Sequence, residues 1–180
     1  TRRSSDLGEL GHTVVDTIEP DDAPCYCGKP GCVEQRTSFL ALEQNIRAAL
    51  DRGVSSLLRA DYQPGRPLSV QQIRAALNQG DRLCRHYVSL MTQRLGVAIA
   101  NAVNLLNPEL VVLYGFMVEL GDFFLERLET AIRENTLVLS NQFEIRVSRT
   151  LERILPLGAI GELFFSYLKI NEYQWIYDLQ

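Results

Sequence analysis

The apolar positions of this chain fall into stripes that predict mostly helices with two short strands among them. Phe39, Leu42, Ile46, Ala49 and Leu50 recur at three- and four-residue steps, so a helix continuing from Val33 buries one face. Gly53 ends that helix or bends it into a short piece over 54–59. The run Asp61-Tyr62-Gln63-Pro64-Gly65-Arg66-Pro67 is a loop by its turn residues. Ser69 is a good N-cap for a compact helix Val70–Asn78, closed by Gly80. A long helix follows over about 81–106, its buried stripe marked by Leu83, Tyr87, Leu90, Met91, Leu95, Ala98, Ile99, Ala102, Val103 and Leu106. Gly96, Ala98, Ala100 and Ala102 keep one half of it slim, so another element can approach its backbone. Cys84 and His86 on this helix find no ligand partner at matching spacing and read as packing or surface residues.

Asn107-Pro108 breaks the long helix. Leu110-Val111-Val112-Leu113-Tyr114 is a continuous apolar run, the pattern of a central strand covered on both faces. Gly115 turns the chain into a helix with Val118, Phe124, Leu125, Leu128 and Ile132 inward, and Phe143-Glu144-Ile145-Arg146-Val147 alternates as an edge strand does. A last helix over 157–168 carries Gly158 and Gly161, and the tail Tyr173-Gln174-Trp175-Ile176-Tyr177 is aromatic enough to fold back on the body or on a second subunit. Helices alternating with strands in this order predict an α/β class with a largely helical periphery.

One stretch escapes this periodicity. Within 12–34, three of the four cysteines stand as Cys25-x-Cys27-x4-Cys32, and His12 ends the preceding Gly8-Glu9-Leu10-Gly11-His12. Residues 11–15 alternate weakly and read as a short strand carrying His12. Gly28, Pro30 and Gly31 force tight turns among the cysteines. Such turns can converge three thiolates, and the strand can deliver an imidazole, giving the closed set His12, Cys25, Cys27 and Cys32 of a structural zinc site. The alternative is disulfide pairing or three ordinary thiols, but Cys25 and Cys27 are too close to pair easily and three is an odd number.

Composition narrows the field. The 180 residues suit one domain, and 46% hydrophobic content is enough for a real core. With 18 basic against 22 acidic residues, the net charge of −4 argues against this segment itself gripping DNA phosphates. No apolar run approaches about 18 residues and no signal-peptide pattern opens the chain, so a cytoplasmic protein with no membrane partner is expected. Thiols at ligand spacing fit a reducing compartment too. The polar lead Thr1-Arg2-Arg3-Ser4-Ser5-Asp6, without an initiating methionine, reads as a cut rather than a native start.

Gly8-Glu9-x-Gly11-His12 followed by Cys25-x-Cys27-Gly28-x-x-Gly31-Cys32-x-Glu34 resembles the signature of the ROK family, bacterial sugar-responsive repressors and sugar kinases such as glucokinase. The chain departs from that pattern in a His12–Cys25 loop about three residues longer, with Glu19, Asp21 and Asp22 in it; such a lengthening closes at little entropic cost. The resemblance continues through Asn107-Pro108-Glu109-Leu110-Val111-Val112-Leu113-x-Gly115 and Gly158-Ala159-Ile160-Gly161. It implies the C-terminal lobe of an actin-like, ribonuclease-H-like ATPase fold. The whole of 1–180 would then be the C-terminal part of a ROK domain, with a zinc loop at about 12–34, a helical and α/β body at about 35–170 and the tail at 171–180.

The resemblance also implies sugar contacts. Glu9 and Glu34 would accept hydrogen bonds from sugar hydroxyls, while His12 would bind zinc through one ring nitrogen and the sugar through the other. On the residues alone, Glu9 capping a turn and Glu34 opening the next helix at its positive end describe the same positions. In this family the catalytic base and first phosphate turn lie upstream of Thr1, so no enzymatic activity is expected of this segment alone. Asp51-Arg52-Gly53 imitates a phosphate motif but sits at a helix end. Where paired glycines would face ATP and magnesium, Gly115 is followed by Phe116, whose side chain crowds the approach. The expected function is the effector-binding domain of a NagC/XylR-like transcriptional regulator: a sugar or sugar derivative as ligand, a homodimer or higher homo-oligomer as assembly, and DNA held by a winged helix-turn-helix preceding this segment. The rival is the C-terminal lobe of an ATP-dependent sugar kinase, and a zinc-stabilised oligomerisation module without ligand is the third reading.

Overall fold

The computed structural model describes residues 8–16, 24–137 and 142–148. The acidic insert at Glu19, Asp21 and Asp22, the helix expected over 157–168 and the aromatic tail lie outside the described residues. The body is helical around a small parallel sheet: α1 Val33–Thr37, α2 Phe39–Asp51, α3 Val70–Asn78, α4 Arg82–Leu106, β1 Leu110–Leu113, α5 Asp122–Asn135 and β2 Glu144–Val147.

The single helix read onward from Val33 is two. Ser38 closes α1 with its backbone N–H on the Glu34 carbonyl and opens α2 by accepting from the Ala41 N–H through its hydroxyl. Beyond Gly53, whose φ is +89°, the short piece is a 3-10 turn at Leu57–Ala60. Helix α3 begins with a full capping box, Ser69 and Gln72 bonding each other's backbone N–H.

Asp81 is the junction between this region and the long helix. One carboxylate oxygen caps α4 through the Cys84 N–H at 2.8 Å, and the other accepts from Ser56 Oγ at 2.9 Å and the Leu57 N–H at 2.6 Å. Burial pushes this carboxyl up, but its backbone and hydroxyl donors outweigh burial and hold it below the usual carboxylate range. Ile46, Leu50, Ile73, Leu77, Val88 and Phe124 are among the fully buried side chains where α2–α5 meet.

The slim half of α4 serves α5. At Gly96 an added Cβ would overlap the Ala131 side chain and stand 2.9 Å from the Ala131 carbonyl carbon, so only glycine admits this approach. Leu128 and Ile132 of α5 are buried in the shared core. The stripe of α4 runs out earlier than its spacing predicts, leaving Leu106 76% exposed where α4 extends past its partners. Asn107 then reverses the chain in the left-handed region, φ 47°.

Strands β1 and β2 pair in parallel, Leu110 opposite Glu144 and Leu113 opposite Val147, with α5 in the crossover. Val111, Leu113 and Ile145 pack on the core, whereas Val112 is 46% exposed. Among the described residues, then, the apolar run of β1 has one covered face rather than two. Among them no helix is long and apolar enough to cross a membrane.

Candidate functional site

The strand expected over 11–15 is instead a 3-10 turn at Leu10–His12. Its hydrogen bonds run from the His12 N–H to the Glu9 carbonyl and from the Thr13 N–H to the Leu10 carbonyl, and the Thr13 hydroxyl adds a third onto Leu10. Extended pairing survives only as one antiparallel bridge between Val14 and Cys32, beside the Val33 N–H bond to the Thr13 carbonyl. The glycines on both sides of Glu9 weaken a strand, and the turn has a positional consequence. With three residues per turn, positions i and i+3 eclipse, so Glu9 and His12 stand together and Glu9 Oε2 lies 3.7 Å from His12 Nε2.

The other ring nitrogen faces the cysteines. His12 Nδ1 is 3.7 Å from Cys25 Sγ, Cys27 Sγ is 3.5 Å from Cys32 Sγ, and all four donor atoms lie within 4.8 Å of one another. The turns are those the glycines predict: Gly28 at φ +86° closes on the Cys25 carbonyl, Gly31 at φ +77° leads into Cys32, and the Cys25 N–H returns to the Lys29 carbonyl. None of the four cysteines is in a disulfide.

Bonds of about 2.3 Å from sulfur to a tetrahedral cation put neighbouring ligand atoms about 3.8 Å apart, so the observed spacings fit such an ion. The protonation chemistry agrees. Burial, reinforced by Cys27 and Cys25, pushes the Cys32 thiol up to about 11, so ionising it calls for a cation at hand. At the exposed rim the Lys29 backbone N–H holds the Cys27 thiol below its ordinary value. His12, Cys25, Cys27 and Cys32 could therefore hold a metal ion.

Glu34 occupies the first turn of α1, the position its helix-opening reading gives it. Its carboxylate nevertheless turns toward Gly11, where an added Cβ would stand 3.3 Å from both Glu34 Cβ and Oε2. Gly11 is thus the gap that lets Glu34 reach the His12 turn. Glu9 stands at His12 Nε2 while Nδ1 faces Cys25, and Glu34 lies against the same turn at Gly11. Glu9 makes no side-chain capping bond to the turn, so the turn-capping alternative is not what the structure shows.

Sequence reading missed two groups. Tyr26, the residue between the first two cysteines, is 78% exposed, sets its ring edge-on to His12 at 4.9 Å and donates its hydroxyl to Glu34 Oε2 at 3.4 Å. Partial desolvation and the Glu34 carboxylate raise the Tyr26 phenol above its usual value. Asp16 receives Arg94 of α4 at 2.8 Å and Arg36 of α1 at 3.5 Å, tying the His12 segment to both helices. Only the position of Tyr26 inside the cysteine motif signalled it; the Asp16 links join distant residues and have no local mark.

The remaining candidates fall where packing expects them. Asp51 ends α2 and accepts the Tyr62 hydroxyl at 2.5 Å, so the imitation phosphate motif is structural. Cys84 is fully buried, and burial with the neighbouring Asp81 carboxylate pushes its thiol far up, which leaves it inert. Gly115 follows β1 at φ +103°, and its chain neighbours aside, no described residue approaches within 4 Å of where a Cβ would stand. The Phe116 side chain expected to crowd this turn lies outside what the structure describes.

Comparison with known proteins places this arrangement. The chain is similar to the xylose repressor of Caldicellulosiruptor bescii, 30% identical over 92% of this chain and 41% of that protein. Its fold matches a ROK family transcriptional regulator, a homologue of the E. coli MLC protein, with TM-score 0.70 and 30% identity over 82% of this chain and 36% of that one. It also matches the ROK hexokinase from Thermus thermophilus, with TM-score 0.63 and 25% identity over 81% of this chain and 43% of that one. The chain thus spans about two fifths of the length of these relatives. Residues 5–153 match the ROK family profile, and the chain belongs to the ROK family.

Proposed function

We propose that this chain is the effector-binding C-terminal part of a sugar-responsive transcriptional regulator, with a structural zinc ion held by His12, Cys25, Cys27 and Cys32. The observation that carries the reading is the division of the His12 ring, Nδ1 toward the cysteines and Nε2 toward Glu9, with Glu34 against the same turn at Gly11. Bound zinc supplies a dication that neutralises the thiolates and fixes the imidazole tautomer. With Nδ1 committed, the proton of His12 stays on Nε2 and donates outward. Glu9 and Glu34 accept from neighbouring hydroxyls, so one donor between two acceptors suits a polyol. DNA contact belongs to a domain outside this acidic segment, consistent with its net charge of −4. Regulators such as the xylose repressor are among its relatives and support this reading, and sugar kinases stand beside them.

The kinase reading has its own support in Gly115. A glycine turn after a parallel strand is where α/β folds bring nucleotides, and the Thermus thermophilus hexokinase shares the fold. Calorimetry of the full-length protein with hexoses, amino sugars and ATP–magnesium separates the two. We expect saturable binding of a sugar, no saturable heat with ATP, and a Glu34→Gln variant that keeps its metal while losing about 1–3 kcal/mol of sugar affinity. Sugar-dependent turnover of ATP overturns the regulator reading in favour of the kinase, and absence of any sugar binding overturns both.

A further inference from the structure

A second chemically loaded place among the described residues shares no residue with the His12 site. Gly80, Arg82, Arg85, His86, Ser89, Phe123 and Arg127 line a concavity of about 430 Å³ between the N-terminal ends of α4 and α5. We propose that this cleft binds a small phosphate monoester.

The argument begins with spacing. Arg82, Arg85, His86 and Ser89 follow one another at three- and four-residue steps, so α4 presents them on one face. From α5, Phe123 supplies a ring flanked by the Arg85 guanidinium at 5.2 Å and the Arg127 guanidinium at 5.7 Å. Gly80, at φ +82°, leaves room for the Arg85 guanidinium, which would stand 3.8 Å from an added Cβ. Three guanidinium groups are thereby gathered with a histidine and a hydroxyl in a protein of net charge −4.

Asp122 stands in the first turn of α5, next in sequence to Phe123, but it forms no ion pair with these groups among the described residues. Among the described residues no carboxylate lines the cleft, and none lies within ion-pair distance of Arg82, Arg85 or Arg127. The nearest capping carboxylate, Asp81, spends its oxygens on the backbone N–H groups of Cys84 and Leu57 and the Ser56 hydroxyl. The two helices also run parallel, Arg85 beside Phe123, Gly96 beside Ala131 and Asn104 bonded to Asn135. Their positive ends therefore lie together at the cleft.

The occupant follows from charge and size. Cationic forks of this kind match the oxygens of a phosphate, and a phosphomonoester brings up to two negative charges with three acceptor oxygens. The volume fits a small metabolite and is at the lower end for ligand cavities. Ser89 and His86 add a hydroxyl and a ring nitrogen for the organic part.

Calorimetry on the full chain at about physiological ionic strength, with glycerol 3-phosphate as probe and glycerol as control, tests this. Expected are one saturable site for glycerol 3-phosphate, none for glycerol, and at least a tenfold loss of affinity in Arg85→Ala/Arg127→Ala. Should that pair fail to fold, as judged by melting, Ser89→Glu sets a carboxylate in the cleft and should abolish binding. Glu34→Gln should leave the probe's affinity unchanged, which separates this site from the proposed sugar site. Absence of saturable binding, retention of affinity in the folded cleft variants, or loss of affinity in Glu34→Gln overturns the proposal.

Discussion

Residues around the His12 turn and the α4–α5 pair are held by different forces. The first region has little to bury: Cys25, Cys32 and Val33 are inside, but Tyr26 and Cys27 are exposed and its turns depend on Gly28 and Gly31. What converges there is four donor atoms. The second region closes on Phe124, Leu128, Ile132, Val88 and Val103, each nearly inaccessible to water. A fully buried side chain of that size contributes about 1.5–3 kcal/mol, and the contributions are spread over many positions. A region stabilised by one coordination centre should fail all at once, whereas one stabilised by area should lose stability by degrees. The chemistry of the proposed sugar site sits on the region that can fail at once, so ligand sensing and metal content should be coupled.

The largest expected effect breaks that coupling. We expect about one zinc per chain in protein never exposed to chelator, and its loss in Cys25→Ser. Because metal binding free energy is folding free energy in such a loop, Cys25→Ser should release amide protection around residues 24–37 while α4 and α5 keep theirs. Hydrogen exchange read by mass spectrometry, alongside elemental analysis, checks both halves. Simultaneous loss of protection in α4 and α5 would mean that the two regions are one cooperative unit and the contrast is mistaken.

A complementary change strikes the body alone. Gly96→Val drives a branched side chain into Ala131, and overpacking of this kind costs about 1–3 kcal/mol. Thermal melting should fall while zinc content stays near one per chain. A melting temperature equal to that of the parent would show that α5 shifts away freely, which its buried Leu128 and Ile132 argue against.

How much of this was legible follows the same division. The body was readable because its signals are local: the Ser69 cap, the Gly80 stop, the Asn107-Pro108 break and the small residues of α4 all mark their structure in sequence. Ser38 was missed as a break because the hydrophobic period runs through it, and only its paired hydrogen bonds reveal two helices. At the site, motif spacing picked out His12, Cys25, Cys27 and Cys32, and their four donor atoms do converge. It misjudged the backbone carrying His12, because weak alternation over five residues cannot distinguish a strand from a turn with a glycine inside it. The gap at Gly11 for Glu34 and the Asp16 links to Arg36 and Arg94 are tertiary facts that no local pattern encodes.

Asp81 sharpens the comparison through pH. Its folded carboxyl is held below the ordinary range, so the unfolded chain takes up that proton more readily. The stabilisation is therefore present above the unfolded carboxylate value of about 4 and is lost as pH falls through the lower folded value. Asp81→Ala removes the α4 cap and leaves Ser56 and Leu57 without their acceptor, a loss of about 1–3 kcal/mol at neutral pH. Denaturant midpoints against pH should show the gap between parent and variant narrowing below about pH 4. A gap constant from pH 7 to pH 2 would assign the effect to packing rather than to the carboxylate.

The smallest expected effect on stability lies at Tyr26, and it is the most specific to the site. Its hydroxyl makes a long, exposed hydrogen bond to Glu34, so Tyr26→Phe should change unfolding free energy by no more than about 0.5 kcal/mol. Metal content should also hold, since the tyrosine contributes no donor to the cluster. What changes is the freedom of Glu34, whose Oε2, the oxygen that faces Gly11, loses the Tyr26 hydroxyl. If that carboxylate is a sugar acceptor, the full-length variant should bind its sugar about tenfold more weakly, the equivalent of one hydrogen bond of about 1.4 kcal/mol, with the metal in place. Tyr26→Ala, which also removes the ring packed edge-on to His12, should weaken it further. Sugar affinity unchanged in both variants would place the ligand on the Glu9 side of the imidazole and leave Glu34 as the opening residue of α1.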